Sequence, residues 1–343
     1  MAAAAAATPT KTANIPETMR AVQYDAWGGG AAGLKHVEVP VPSAQKNELL
    51  VKLEAASINP VDWKIQKGIL RPFLPRKLPF IPVTDVAGVV ADVGQGVNGF
   101  QAGDHVVAKL YSLNGGGLAE YAVASETLTV KRPPEVFAVE GAGLPVAAGT
   151  ALQALRTIGA KFDGTGKTLN VLITAASGGV GHYAVQLAKL AGLHITATCG
   201  ARNMELVKSL GADEVIDYKT PEGASLQSPS GKKYDVVIHC AVRISWSTFK
   251  PVLATTGRVI DVTPNFTSIL KWALHMVTFA RKWLVPLLLS PNKADLEFLV
   301  GLLKDGKLKT LIDSRFPLSE VSKAWQKSIE GHATGKIIVE MGG

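Results

Sequence analysis

Cysteine is nearly absent from this chain of 343 residues, which contains only Cys199 and Cys240. Both follow short β-type runs that predict buried strands, so a disulfide framework is not indicated and a reducing compartment fits. Two cysteines also cannot supply the four soft ligands of a structural zinc lobe. The low cysteine count therefore points away from a fold held together by disulfides or by metal ions.

Acidic residues are also scarce relative to basic ones, with 28 against 36 and a formal net charge of +8. The basic residues are spread along the chain, and "RPFLPRK" is the one dense basic run, so a nucleic-acid partner is not indicated. An anionic cofactor or an acidic membrane surface accounts for the excess. No segment is long and apolar enough to predict a transmembrane helix.

Residues 1–18 form an alanine-rich segment that carries one lysine and has no acid before Glu17. It lacks the apolar core of a secretory signal. A weak plastid-type targeting segment and a disordered tail both fit this composition, and the choice between them stays open.

The stretch from Val171 to Gly192, "VLITAASGGVGHYAVQLAKLAG", predicts a strand, a tight turn and a helix. Its first residues are typical of a buried parallel strand, and the apolar residues from Tyr183 to Leu190 recur at helical spacing. Glycines in the turn allow a ligand to approach the backbone, and the N–H groups of a helix start favour a pyrophosphate. A tight αβ connection without a ligand is the alternative. The predicted contacts are Ser177, Gly178, Gly179 and Val180.

The next predicted strand, "HITAT", ends without the acid that would hold a ribose 2′-hydroxyl. A cation and an amide follow instead, which favours a 2′-phosphate and hence NADP(H) over NAD(H). A solvated first-turn position is the alternative for Arg202, and a surface position is the alternative for Tyr218. The cofactor-binding residues predicted here are Gly200, Ala201, Arg202, Asn203, Tyr218 and Cys240.

Short strands punctuated by glycine and proline predict an all-β domain, a distorted barrel, from Met19 onward. The C-terminal "TGKIIVEMG" is again β-rich, so we expect the chain to return to this first domain. The predicted fold class is α/β, with a catalytic domain of residues 19–139 and 305–343 and a doubly wound parallel domain of residues 140–304. Residues 1–18 form the tail, and the substrate is expected in the cleft between the domains.

Six stretches spread over nearly the whole chain carry a family resemblance: "AASINPVDWKIQKG", "PFIPVTDVAGVVADVG", "GDHVVA", "LAEYAV", "AASGGVGHYAVQLAK" and "TGKIIVE". They resemble the quinone oxidoreductase branch of the medium-chain dehydrogenase/reductase superfamily. Within it, "TCGARN" and "SPSGKKYDVVIHC" resemble the plant chloroplast envelope quinone oxidoreductase homologues and alkenal/one reductases. The resemblance implies a GroES-like catalytic domain, an NADP-binding Rossmann domain and a chloroplast location, stromal or peripheral to the inner envelope. A cytoplasmic location is the alternative.

Zinc ligands are missing from the positions where zinc-dependent members of this superfamily carry them, because the chain has Ser57, Asn59, Thr84 and Asp85 there. We therefore predict no metal site. Without a Lewis acid, hydride transfer to an already polarised conjugated alkene remains feasible.

The resemblance implies a zinc-independent, NADPH-dependent reductase of the C=C bond of enones and enals, with lipid-derived γ-ketols as one candidate class. An NADPH quinone reductase or an NADPH-binding redox sensor is the alternative. The resemblance places Asn59 and Lys64 beside the nicotinamide, as catalytic residues, with Lys64 also contacting the cofactor. A turn residue and a surface lysine are their alternatives.

An apolar segment, "FTSILKWALHMVTFARKWLVPLLLS", predicts a helical stripe of apolar residues next to basic ones. A helix packed in the core or against a second copy and a helix lying on a membrane surface are both compatible with it. The expected partners are thus a small-molecule substrate, a homodimer partner and a peripheral membrane contact, without nucleic acid. The stripe consists of Ile269, Trp272, Met276, Phe279 and Trp283.

Overall fold

The computed structural model describes residues 15–75, 77–242, 244–278 and 280–342. Its strands, in chain order, are β1 (Thr18–Gln23), β2 (Lys35–Pro40), β3 (Glu48–Ile58), β4 (Asp85–Val93), β5 (His105–Lys109), β6 (Tyr121–Ser125), β7 (Thr129–Lys131), β8 (Asn170–Ile173), β9 (His194–Cys199), β10 (Glu214–Asp217), β11 (Tyr234–His239), β12 (Leu253–Asp261), β13 (Trp283–Pro286), β14 (Ile312–Pro317) and β15 (Lys336–Glu340).

Ten α-helices lie in the described ranges. They are α1 (Pro60–Gln66), α2 (Ala138–Gly141), α3 (Gly149–Thr157), α4 (Gly181–Leu190), α5 (Met204–Ser209), α6 (Pro221–Ala224), α7 (Trp246–Val252), α8 (Phe266–Val277), α9 (Lys293–Lys304) and α10 (Val321–Glu330). None of these helices is both long and apolar enough to cross a bilayer.

Strands β8 to β13 form one parallel sheet in the order β10-β9-β8-β11-β12-β13. This order reverses between β8 and β11, which is the switch point where doubly wound sheets bind ligands at the carboxyl ends of their strands. Val171, Leu172 and Ile173 of β8 are fully buried, as expected for a central strand covered on both faces.

The β-rich part of the molecule is a seven-stranded sheet that contains strands from both ends of the chain. Strand β15 pairs antiparallel with β3 and parallel with β14, while β3 also pairs with β4 and β6. The chain thus returns to its first domain after the parallel sheet, as the β-rich C-terminus predicts. The predicted fold class is confirmed; the boundaries at residues 139 and 305 stay predictions.

Helix α8 differs from a core helix, because Ser268 is its one buried residue. Ile269, Trp272 and Met276 are exposed, Trp283 lies on β13 rather than on the helix, and Phe279 lies outside the described residues. Trp283 is in a strand because it pairs with Arg258 of β12 at the edge of the sheet. The expectation that this stripe packs into the core of one chain is therefore wrong.

Candidate functional site

The turn between β8 and α4 has two kinds of glycine. A Cβ at Gly181 would overlap the carbonyl oxygen of Ala175, so this glycine is needed for the helix to approach the strand. A Cβ at Gly179 would instead meet its nearest atom, the Gly335 carbonyl oxygen, at 3.6 Å, an ordinary contact distance. The space in front of Gly179 therefore has room for a methyl group and is bounded by Gly335 and the Lys336 side chain.

The start of α4 suits an anion. The helix has ten residues, and the N–H groups of Gly179 and Val180 make none of the backbone hydrogen bonds found in the described part of this turn. Free N–H groups and the helix dipole together favour a phosphate group at this place. The geometry thus fits the pyrophosphate of a dinucleotide.

His182 holds the turn in shape as a neutral ring. Its Nδ1 lies 2.9 Å from the Gly178 carbonyl oxygen, and its Nε2 accepts the Leu311 N–H at 3.2 Å. Burial lowers the pKa of His182 to about 3, so the ring carries no charge at physiological pH. This arrangement requires the hydrogen on Nδ1, which donates to Gly178.

The residues predicted to bind the adenosine phosphate cluster after β9. Arg202 donates to the His332 carbonyl oxygen at 2.8 Å, which uses part of its guanidinium and leaves its other N–H groups for a ligand. Tyr218 lies beside Gly200, since a Cβ built there would be 3.7 Å from the tyrosine ring. Ala201 and Asn203 complete the same short helical turn. A 2′-phosphate would here meet a cation and no carboxylate from this turn.

The segment Thr334-Gly335-Lys336 packs over the turn between β8 and α4, and the sequence predicted no role for it. Asn203 Nδ2 donates to Ser177 Oγ at 3.0 Å and to Thr334 Oγ1 at 3.1 Å. The Gly335 N–H donates to the Ser177 carbonyl oxygen at 2.9 Å. The quoted "TGK" stretch was a signal for this segment, but its contacts could not be read from it.

A buried polar cluster surrounds Asn59, next to the start of α1. Asn59 Nδ2 donates to Asp85 Oδ2 at 2.9 Å, and its Oδ1 accepts from Lys336 Nζ at 2.6 Å. The Asn59 N–H donates to Asp62 Oδ2 at 2.7 Å, which with Pro60 fixes the helix start. Both ends of the Asn59 amide are thus engaged within the protein, so the residue is placed to position Lys336. Its catalytic assignment stays a prediction.

Burial changes the protonation of this cluster. It raises the pKa of Asp62 to about 7 and raises that of Asp85, while Lys109 and Lys336 partly oppose these shifts. Burial likewise lowers the pKa of both lysines, and the two carboxylates oppose that shift. Asp62 can therefore hold or release a proton near neutral pH.

Lys64 lies on α1, one turn after Asn59, and is half-buried. Its Nζ is 5.7 Å from the centroid of the Trp63 ring, and no carboxylate in the described ranges pairs with it. Burial lowers the pKa of its ammonium group. Its role as a catalytic and cofactor-binding residue stays a prediction.

Cys240 follows β11 at the carboxyl edge of the sheet, beside the dinucleotide turn. The N–H groups of Cys240 and Ala241 both donate to Thr174 Oγ1, at 3.0 and 3.1 Å. Burial raises the pKa of the Cys240 thiol to about 12, so it stays a thiol. Its role as a cofactor-binding residue stays a prediction.

Within the described residues, no three or more histidine, cysteine or acidic side chains lie together in a group that could hold a metal ion. Zinc independence stays a prediction from the residues at positions 57, 59, 84 and 85.

Replacing Gly179 by alanine is expected to weaken NADPH binding at least about tenfold, because the new methyl group occupies the space in front of the turn. Folding stability should change by less than about 1 kcal/mol, since the Cβ has room in the free protein. Isothermal titration and thermal melts measure the two effects. Gly301→Ala in α9, which meets nothing within 4 Å, is the matched control. Unchanged NADPH affinity in Gly179→Ala would show that the turn holds no phosphate.

Comparison with known families gives two matches. The model described as alcohol dehydrogenase GroES-like domain matches residues 45–134. The model described as zinc-binding dehydrogenase matches residues 210–339. Together they cover a large part of both the β-rich sheet and the parallel sheet.

Individual relatives match over almost the whole chain. A chloroplast envelope quinone oxidoreductase homolog of Arabidopsis thaliana is 66% identical, covering 94% of this chain and 98% of the relative. A chloroplastic NADPH-dependent alkenal/one oxidoreductase of the same plant is 33% identical, covering 98% and 83%. Among solved structures, the quinone oxidoreductase of Coxiella burnetii has a TM-score of 0.84 at 31% identity, covering 94% and 99%. These findings confirm the resemblance seen in the sequence.

Proposed function

This chain belongs to the quinone oxidoreductase branch of the medium-chain dehydrogenase/reductase superfamily, and on that premise we propose that it reduces quinones by hydride transfer from NADPH. It is an NADP(H)-dependent oxidoreductase with a GroES-like and a Rossmann-type part. The sequence reasoning favoured enones as acceptors, with quinones as the alternative. The 66% identity to a quinone oxidoreductase homolog over 94% of the chain favours quinones as acceptors instead.

A second candidate function, reduction of the C=C bond of an enone, is favoured by one observation. Relatives at 33% identity are named as an alkenal/one oxidoreductase and a 2-methylene-furan-3-one reductase. Both acceptor classes present an electrophile conjugated to a carbonyl group, and in both cases negative charge develops on an oxygen atom. The two reactions therefore place the same demand on the protein, namely a donor aimed at that oxygen.

In this proposal, one set of residues binds the cofactor and another donates to the acceptor. The turn at Gly179 and the Arg202 side chain hold the two phosphate regions of the cofactor, which supplies the hydride when bound. Lys64 would donate to the developing oxyanion of the acceptor, and its lowered pKa makes it the readier proton donor. Reduction of a quinone to a hydroquinone consumes one hydride and one proton, so one such donor suffices.

We expect a quinone to oxidise NADPH in the presence of the enzyme faster than an enone does, with no oxidation when both are omitted. Lys64→Gln should lower kcat at least about tenfold, because a donor to the developing charge is removed. The matched control is Lys67→Gln, an exposed lysine at the end of the same helix.

Product analysis with 4-deuterated NADPH separates the candidates. Hydroquinone formation supports the proposal, whereas deuterium on the β-carbon of a saturated ketone, with quinones unreduced, would replace it by the second candidate. An allylic alcohol as product would contradict both. NADPH binding without turnover of either acceptor would support the redox-sensor alternative.

We propose a plastid location, since relatives from Arabidopsis thaliana, Triphysaria versicolor and Spinacia oleracea that are 66%, 64% and 62% identical are named as chloroplast proteins. Residues 1–14 lie outside the described part of the chain, so the targeting interpretation of residues 1–18 stays a prediction, as do the homodimer and the peripheral membrane contact.

A further inference from the structure

The parallel sheet has a cavity at its amino-terminal end, opposite the turn between β8 and α4. This cavity is about 790 Å³ in volume and is lined by residues at the amino-terminal ends of three strands. Lys233 directly precedes β11, Leu253 begins β12, and Lys282 directly precedes β13. The turn between β8 and α4 lies at the carboxyl ends of these strands. A six-residue strand such as β11 separates the two ends of the sheet by about 17 Å. The cavity is therefore distinct from the proposed active site.

The lining of this cavity is strongly basic. Lys233, Lys250, Arg281 and Lys282 line it, and its described lining includes no acidic residue. None of the four forms an ion pair within the part of the chain that the structure describes. The sequence around it has the same bias, since residues 233–282, which span the lining, contain seven basic residues and two acids, Asp235 and Asp261. The positive charge here is left without an internal counterion.

Two of the four cations are fixed in place by the backbone. Lys282 Nζ donates to the carbonyl oxygens of Lys250 and Leu253, at 2.8 and 2.9 Å, and Lys233 Nζ donates to that of Pro251 at 2.9 Å. These carbonyls lie at the end of α7, where a cation is favoured by the helix dipole. Capping of α7 explains these two lysines. It does not explain Lys250 and Arg281, whose side chains are exposed beside them.

The same cavity has an aromatic wall. Trp246 and His275 line it with their ring centroids 4.7 Å apart. The Leu284 N–H donates to His275 Nδ1 at 3.2 Å, so the neutral ring carries its hydrogen on Nε2. The lining thus combines cationic donors with flat aromatic surface, and the volume of the cavity lies in the range typical of small-molecule sites.

We propose that this cavity binds an organic anion whose phosphate or other oxyanion group meets Lys250 and Arg281 and whose apolar part packs on Trp246. The ligand could be free in solution or could be the head group of a lipid, because both present the same chemistry. The site goes beyond the proposed function, since it contacts neither the cofactor turn nor Lys64.

Octyl phosphate, kept below its micellar concentration, is the probe for this site. Titration into the full chain saturated with NADPH should give binding at one site per chain. Lys250→Gln/Arg281→Gln should weaken it at least about tenfold, because two full charges near the anion are lost. Inorganic phosphate should bind far more weakly than octyl phosphate.

The matched control is Lys46→Gln/Lys304→Gln, which removes two exposed lysines outside the cavity and should leave the affinity unchanged. Affinity for NADPH should be the same in all three proteins, which keeps this test separate from that of the proposed function. Single variants at Lys250 and Arg281 give the same answer if the double variant does not fold.

Absence of saturable binding, or equal affinity in the double variant, would overturn the proposal. If inorganic phosphate bound as tightly as octyl phosphate, the proposed packing of an apolar group on Trp246 would be wrong. Octyl phosphate binding together with binding to vesicles that contain phosphatidic acid would assign the anion to a lipid head group, whereas octyl phosphate binding without vesicle binding would assign it to a ligand free in solution.

Discussion

Replacing Arg202 by alanine is expected to weaken NADPH binding about 10- to 100-fold while NADH affinity changes less than about twofold. The guanidinium follows β9 at the place where an acid would select NADH, and part of it is free of protein contacts. Hydrogen bonds to charged groups contribute more than neutral ones, so losing a partner of the 2′-phosphate is costly. Isothermal titration with both cofactors measures the effect.

The control for this prediction is Lys208→Ala, which removes an exposed cation from the neighbouring helix α5. It should leave both affinities unchanged. Arg202 also donates to the His332 carbonyl oxygen, so a general loosening of this contact would lower both affinities together. Equal losses for NADPH and NADH would therefore remove the 2′-phosphate assignment.

Replacing Lys336 by methionine is expected to lower the free energy of unfolding by about 3–5 kcal/mol. Lys336 is 3% exposed and donates to Asn59 Oδ1 at 2.6 Å, and it faces the buried carboxyl groups of Asp62 and Asp85. Without it, two buried acids share the single remaining ammonium group of Lys109. Denaturant unfolding of the variant and the parent measures the loss.

The pH dependence gives this prediction a second readout. The pKa of Asp62 in the folded chain is raised to about 7, so the folded state binds a proton that the unfolded state has released. Such a group stabilises the folded state less as pH rises from about 4 through about 7. The loss caused by Lys336→Met should thus be larger at pH 8 than at pH 6.

Two further variants make the interpretation specific. Lys336→Met/Asp85→Asn should recover part of the lost stability, because the unpaired carboxylate is removed with its partner. Lys304→Met, at an exposed position of α9, should change stability by less than about 0.5 kcal/mol. A loss at Lys336 no greater than that at Lys304 would show that the cluster contributes no net stabilisation.

The local sequence pattern was sufficient to predict the turn between β8 and α4. Residues 174–180 connect β8 to α4, and Arg202 and Asn203 follow β9 after only Gly200 and Ala201. In each case the residues that form the feature are neighbours in the chain, so spacing and residue type determine their arrangement. The strand-turn-helix unit and the fold class could therefore be predicted without a structure.

The apolar stripe of α8 could not be interpreted in this way. Helical spacing of apolar residues shows that one face avoids water, but a core, a partner chain and a membrane all satisfy that preference. The structure leaves Ile269, Leu270 and Leu274 exposed. Which surface a helix meets depends on residues far away in the chain.

The sequence by itself determined the two kinds of domain, the dinucleotide turn and the missing acid after β9, because each depends on neighbouring residues. The tertiary structure alone brought Lys336 to Asn59, 277 positions apart, and Thr334 to Asn203, 131 positions apart. No periodicity or spacing connects such pairs. The pairing of β15 with β3 places Ile337 opposite Ile58 and so brings Lys336 to Asn59, whereas the contact of Thr334 with Asn203 joins the segment before β15 to the turn after β9. Sheet topology decided the contacts of the buried polar cluster around Asn59, and local chain geometry decided the turn between β8 and α4.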